Sequence, residues 1–145
     1  MKTTLQSNPV CRYALLILIS ISTLGCSQKV KFDVSTVEPS AEGTVKINKD
    51  KNDNYQVDLN VIRLSDPERL TPPKATYVVW METSQNGTQN IGQLKSNEAL
   101  FSKALKSSLS SVTPYQPLSF FITAEEQGNI TSPAGTVVLR TGRVK

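Results

Sequence analysis

The sequence predicts an all-β domain: a two-sheet antiparallel sandwich of seven or eight short strands, preceded by a signal-peptide helix. Three observations carry that prediction. Over residues 55–64, Tyr55, Val57, Leu59 and Val61 face one way while Gln56, Asp58 and Asn60 face the other, the pattern of a strand with one buried and one wet face. Two further runs, TYVVWME at 76–82 and LSFFITAE at 118–125, are rich in aromatic and β-branched residues. Turn residues then separate these segments at short, regular intervals, as they do in sandwiches and barrels.

The leader comes first. Lys2 and Arg12 precede an apolar run from Ala14 to Ile21, and small or hydroxylated residues lead into Leu24-Gly25-Cys26. A basic start, an apolar middle and a small-residue exit describe a secretory signal peptide, residues 1–25. A membrane-spanning anchor is the competing interpretation, and length decides against it. The run of about 12 residues covers about 18 Å as a helix, against a hydrocarbon core of about 30 Å.

Leu24-Gly25-Cys26 resembles the lipobox of bacterial lipoproteins. There the cysteine thiol receives diacylglycerol and the chain is cut just before it, here between Gly25 and Cys26. The acceptor must be a nucleophilic sulfur, and a small preceding residue gives a protease access to the bond. Thr23 stands where an aliphatic residue is commoner. The resemblance implies a membrane-held protein, because one acyl chain holds only reversibly and two or more hold stably.

After the lipidation site, residues 26–31 form a lipidated polar tether, and the sandwich occupies 32–145. Val30, Phe32 and Val34 begin an alternation that Thr44-Val45-Lys46-Ile47 continues beyond the turn at 39–43. Residues 48–54 are charged and rich in Asn and Asp, hence a turn. With Pro67, Pro72 and Pro73, residues 65–74 form a loop that carries the chain from one sheet to the other. The 76–82 run is apolar on both faces and therefore central. Asn86-Gly87 is a hairpin signal, since both residues tolerate positive φ. The return strand, 88–94, has Gly92 at a bulge. In 97–112, Phe101, Leu105, Ser108 and Val112 fit a helical face capped by Asn97, while the neighbouring strands favour another strand; strand is preferred. The 118–125 strand follows Pro114 and Pro117, and 136–141 closes the domain.

Composition bounds the function. The chain has 16 basic and 12 acidic residues; cleavage removes Lys2 and Arg12 and leaves 14 basic ones. The densest basic stretch, Arg140, Arg143 and Lys145, is too short to track a nucleic-acid backbone, so no nucleic acid is expected as partner. Cys11 leaves with the signal and Cys26 would carry lipid, so the domain relies on its core and not on disulfides. The sequence contains no histidine, which excludes His-dependent catalytic dyads and triads and the usual zinc sites.

Pro73, Tyr77 and Trp80, the Asn86-Gly87 hairpin, Ile91-Gly92-Gln93-Leu94, Phe121-Ile122-Thr123-Ala124-Glu125 and Pro133-Ala134-Gly135-Thr136-Val137-Val138-Leu139 together form a pattern. It resembles the extracytoplasmic C-terminal domain of RskA-type anti-sigma-K factors, over residues 73–142. The resemblance implies an immunoglobulin-like sandwich outside the cytoplasm. In that family regulation lies in a cytoplasmic helical domain joined through a membrane-spanning helix. Only about a dozen residues precede the apolar run here, too few for such a domain. No sigma factor is therefore expected as partner. Glu126-Gln127-Gly128 also replaces the small, glycine-rich turn usual after Glu125.

Candidate sites divide as follows. Asp50, Asn52 and Asn54 have the spacing of half a calcium loop, but Tyr55 stands in place of the turning glycine and Val61 in place of the closing acid, so a solvated turn is expected. Glu125 and Glu126 are adjacent carboxylates, yet neighbours on a strand point to opposite faces. Tyr77 and Trp80 could form a ligand platform; packing in the space between the sheets is the expectation. No serine has a lysine three residues on, and no histidine can activate one. The expected function is thus a non-catalytic lipoprotein of the bacterial cell envelope, without cofactor or metal. Acylated Cys26 would hold it to membrane lipid, facing the periplasm or exterior, and its sandwich would bind or sense another envelope protein or a glycan. The alternative is a structural or adhesive surface module without a dedicated ligand.

Overall fold

The computed structural model describes residues 27–97 and 106–145. Residues 1–26, which hold the expected signal peptide with Gly25 and the expected lipidation site Cys26, lie outside the described residues. Nine strands are present among those described: β1 Ser27–Lys31, β2 Glu42–Lys49, β3 Tyr55–Ile62, β4 Thr76–Thr83, β5 Gly87–Gln93, β6 Lys95–Asn97, β7 Lys106–Thr113, β8 Pro117–Glu125 and β9 Thr136–Arg140. They form a five-stranded sheet, β1-β2-β3-β7-β6, and a four-stranded sheet, β5-β4-β8-β9. Every pairing is antiparallel. Leaving β1 aside, β2-β3-β7-β6 against β5-β4-β8-β9 is the strand order of an immunoglobulin-like sandwich.

Nine described strands are one more than the upper end of the expected seven or eight, and β1 corrects the sequence reading most. Ser27–Lys31 is not a tether. All five residues pair with β2, from Ser27 opposite Asn48 to Lys31 opposite Thr44. Its polar residues conceal this because edge pairing uses the backbone whatever the side chains are. Beyond Lys31 the chain crosses to the other sheet: Phe32 bridges Thr141, and the Asp33 N–H donates to the Arg140 carbonyl at 2.8 Å. The Ser35 hydroxyl then donates to the Val138 carbonyl and accepts from the N–H groups of Val37 and Glu38. This segment covers the free edge of β9, which would otherwise offer unpaired backbone groups.

The crossing loop after β3 runs as expected and holds a 3-10 turn at Pro67–Arg69, capped by the Asp66 carboxylate, which accepts from the Glu68 N–H. The β4–β5 hairpin differs in detail. Its loop is the three residues 84–86, with Thr83 opposite Gly87 and only Gly87 at positive φ, 62°. The Thr83 hydroxyl selects this form: it accepts from the Asn86 N–H and donates to the Gly87 carbonyl. At Gly92 the bulge is present. Val79 opposes Gly92 and Trp80 opposes Asn90, which leaves Ile91 over, and Gly92 adopts a φ of 131°. Of the ambiguous 97–112 stretch, residues 98–105, with Phe101 and Leu105, lie outside the described residues; from Lys106 on it is β7, a strand paired with β3 over eight residues. Its inward positions include Ser107 and Thr113, both buried, while Val112 on the other face is exposed, so polarity does not mark the buried side of this strand.

Between the sheets lies the main core. Val45, Ile47, Val57, Leu59 and Val61 meet Tyr77, Val79, Met81, Phe120, Ile122 and Leu139, as period-two strands facing each other must.

Candidate functional site

The outer face of the four-stranded sheet carries a second, smaller core. Val78 and Trp80 on β4 and Phe121 on β8 are buried there, with Ile130 packed against them. Trp80 therefore does not sit between the sheets, as expected, but on the opposite face; along β4 its parity is opposite to that of Tyr77, Val79 and Met81. One row crosses all four strands: Asn90, Trp80, Phe121 and Arg140 stand side by side in register. The Trp80 and Phe121 rings stack with centroids 6.2 Å apart, and the Arg140 guanidinium lies 4.6 Å from the Phe121 centroid.

Polar groups lock this face. The indole N–H of Trp80 donates to the Thr123 hydroxyl at 2.7 Å, and that hydroxyl donates to Oε1 of Glu125 at 2.6 Å. The same oxygen accepts the Ala134 N–H at 3.1 Å. From β5, the Asn90 amide donates to the carbonyls of Gly128 and Ile130, at 3.0 and 2.8 Å. The loop after β8 is thereby drawn over Trp80. The buried carboxylate of Glu125 is thus turned inward as a structural acceptor. Exposed Glu126 points away from it and pairs with Lys74 at 2.7 Å.

The other sequence-selected residues fall apart in space. Asp50 folds its own turn: its Oδ1 accepts the N–H groups of Asn52 and Asn54, and its Oδ2 accepts the Asn54 amide. Those bonds, the Asn54 N–H first, hold its carboxyl below the usual carboxylate range. Arg140 also reaches Glu82 at 3.3 Å, and Glu82 accepts from the Ser119 hydroxyl. These contacts, that of Ser119 leading, hold Glu82 low as well. Among the described residues no group of three or more His, Cys, Asp or Glu side chains could hold a metal ion.

Among the described residues, Tyr77 is the one buried side chain with an unpartnered polar atom. Its ring is buried, and its hydroxyl has no protein hydrogen-bond partner. Burial, followed by the negative charges of Glu38 and Asp66, raises its pKa above the ordinary 10.0. A raised folded-state pKa means that the unfolded chain ionises first, so stability falls as pH rises past 10.0. Tyr77→Phe is expected to be neutral or stabilising by up to about 1 kcal/mol at pH 7, since a buried unpaired hydroxyl is removed. It should also flatten the alkaline fall. Urea unfolding at pH 7 and pH 11 checks both; a loss above about 2 kcal/mol at pH 7 would show that the hydroxyl is bonded after all.

Among the described cavities, a groove of about 370 Å³ is lined by Phe32, Val34, Pro39, Ala41 and Ile62 together with the charged Lys31, Asp33 and Glu42. Val34 stands 83% exposed in it, an apolar side chain left in water beside apolar neighbours. The alternation of Val30, Phe32 and Val34 predicts a strand through Val34, but β1 ends at Lys31 and Val34 lies beyond the Phe32 bridge. No family model, curated protein or solved structure matches the chain.

Proposed function

We propose that this chain is a membrane-anchored lipoprotein of the bacterial cell envelope, acylated on Cys26, whose sandwich is a non-catalytic binding or sensing module. The observation that carries this reading is the join between motif and fold. The Leu24-Gly25-Cys26 motif closes an apolar run behind Lys2 and Arg12, and an all-β sandwich follows it in the chain. The inward-facing oxygens of Glu125, Thr123 and Ser35 are already bonded within the domain, which supports a binding role over a chemical one. The similarity to the C-terminal domain of RskA-type anti-sigma-K factors enters only as fold and location. The partner is another envelope protein or a glycan, not a sigma factor.

A photo-crosslinking residue at Val34, placed in the full chain and activated in membranes, tests this reading. A discrete, saturable product with an envelope protein or glycan is expected. Diffuse products that never saturate would favour the second reading, a structural or adhesive module without a dedicated ligand.

A further inference from the structure

The sandwich has two ends, and the lipid-bearing residue is tied to one of them. Ser27 pairs with Asn48, and Cys26 is one peptide bond away, with Cα atoms about 3.8 Å apart. The same end carries the turn between β2 and β3, the 84–86 hairpin loop and the 114–116 loop, which together line a pocket with Lys49, Tyr55 and Tyr115. The loops 63–75 and 126–135 lie at the other end, joined where the Ala75 N–H donates to the Glu125 carbonyl.

β2 runs on past the level of Ser27 through Lys49 into the 50–54 turn. At about 3.3 Å per residue the turn tip projects roughly 7–10 Å beyond Ser27 along the strand direction. A bilayer's polar layer is about 5–8 Å deep on each side, from a total of about 40–45 Å around a core of about 30 Å. An acylated Cys26 must lie close to the boundary of that core, because its lipid is bonded to its own sulfur. With one residue of slack, the turn tip cannot stay clear of the headgroups.

We infer that the 50–54 turn is a lipid-headgroup contact, which rests on the proposed acylation of Cys26. The chemistry of the turn fits. Asp50 spends its carboxylate on the turn's own N–H groups, and Asp53 pairs with Lys49 at 2.7 Å. Lys51 is exposed and has no ion-pair partner among the described residues, so its ammonium is available to phosphate. Tyr115, 38% exposed on the neighbouring loop, suits the interfacial level that tyrosines favour.

The full chain, processed in cells and reconstituted into phosphatidylcholine vesicles with a nitroxide on the headgroup, provides the test. Fluorophores go on Asn52→Cys or Pro133→Cys, positions in the turn and in the far loop. Mass spectrometry first establishes whether Cys26 is acylated; if it is not, the lipoprotein reading fails, and the orientation with it. With Cys26 acylated, the fluorophore at position 52 should be quenched at least several-fold more than that at 133. Equal quenching, or stronger quenching at 133, overturns the inference and leaves acylation standing. Lys51→Glu should weaken quenching at 52 when phosphatidylglycerol is added, and no change would remove Lys51 from the contact.

Discussion

Trp80→Ala is expected to destabilise the domain by about 3–5 kcal/mol, the range for a large aromatic cut from a packed interior. Trp80 is fully buried, and its loss strips three things at once: the stack on Phe121, the cover over Val78, and the donor that fills the Thr123 hydroxyl. Domains of this kind hold only about 5–15 kcal/mol in all, so one residue removes a large share. Thr123→Val separates the polar part from the packing. It keeps the shape but leaves the indole N–H buried without an acceptor, at a cost of about 1–3 kcal/mol. Urea unfolding of the processed chain measures both. Limited proteolysis adds a local readout, because the 126–135 loop should be cut faster in either variant. A Trp80→Ala loss under about 1 kcal/mol would mean that this face is loosely packed.

If Cys26 is acylated as proposed, Cys26→Ser is expected to have an all-or-none effect. Serine oxygen is a poor substitute for the thiolate that accepts diacylglycerol, since the sulfur is much the stronger nucleophile. The variant should accumulate as a heavier, unprocessed precursor without metabolic fatty-acid label. Each buried CH₂ contributes about 0.8 kcal/mol to membrane binding, so the loss of the acyl chains removes the anchor as well. Normal processing and labelling in Cys26→Ser would end the lipoprotein reading.

The parts of the fold legible in the sequence were those in which side chains announce their faces. Tyr55, Val57, Leu59 and Val61 alternate because β3 has one wet face, and TYVVWME is apolar throughout because β4 faces the main core on one side and the small Trp80 core on the other. What stayed hidden depended on backbone pairing or on distant chain. β1 looks like a tether because its bonds to β2 need no apolar side chain. The expectation that Trp80 packs between the sheets fails for a related reason. A strand apolar on both faces does not say which face the sandwich uses, and the cover over the outer face comes from Asn90 and a loop about 40 residues beyond Asn90. Glu125 could not be found as a structural acceptor either; its partners, Thr123 and Ala134, meet only once β8 and the following loop have folded. Strict parity along β4, counted from Tyr77 in the core, is the one signal that would have placed Trp80 outward.

Mass spectrometry of the amino terminus of the protein purified from membranes tests the account most directly. The expected first residue is Cys26, with a thioether-linked diacylglycerol on its sulfur. A chain that still begins at Met1, or one whose Cys26 carries a free thiol, would contradict it.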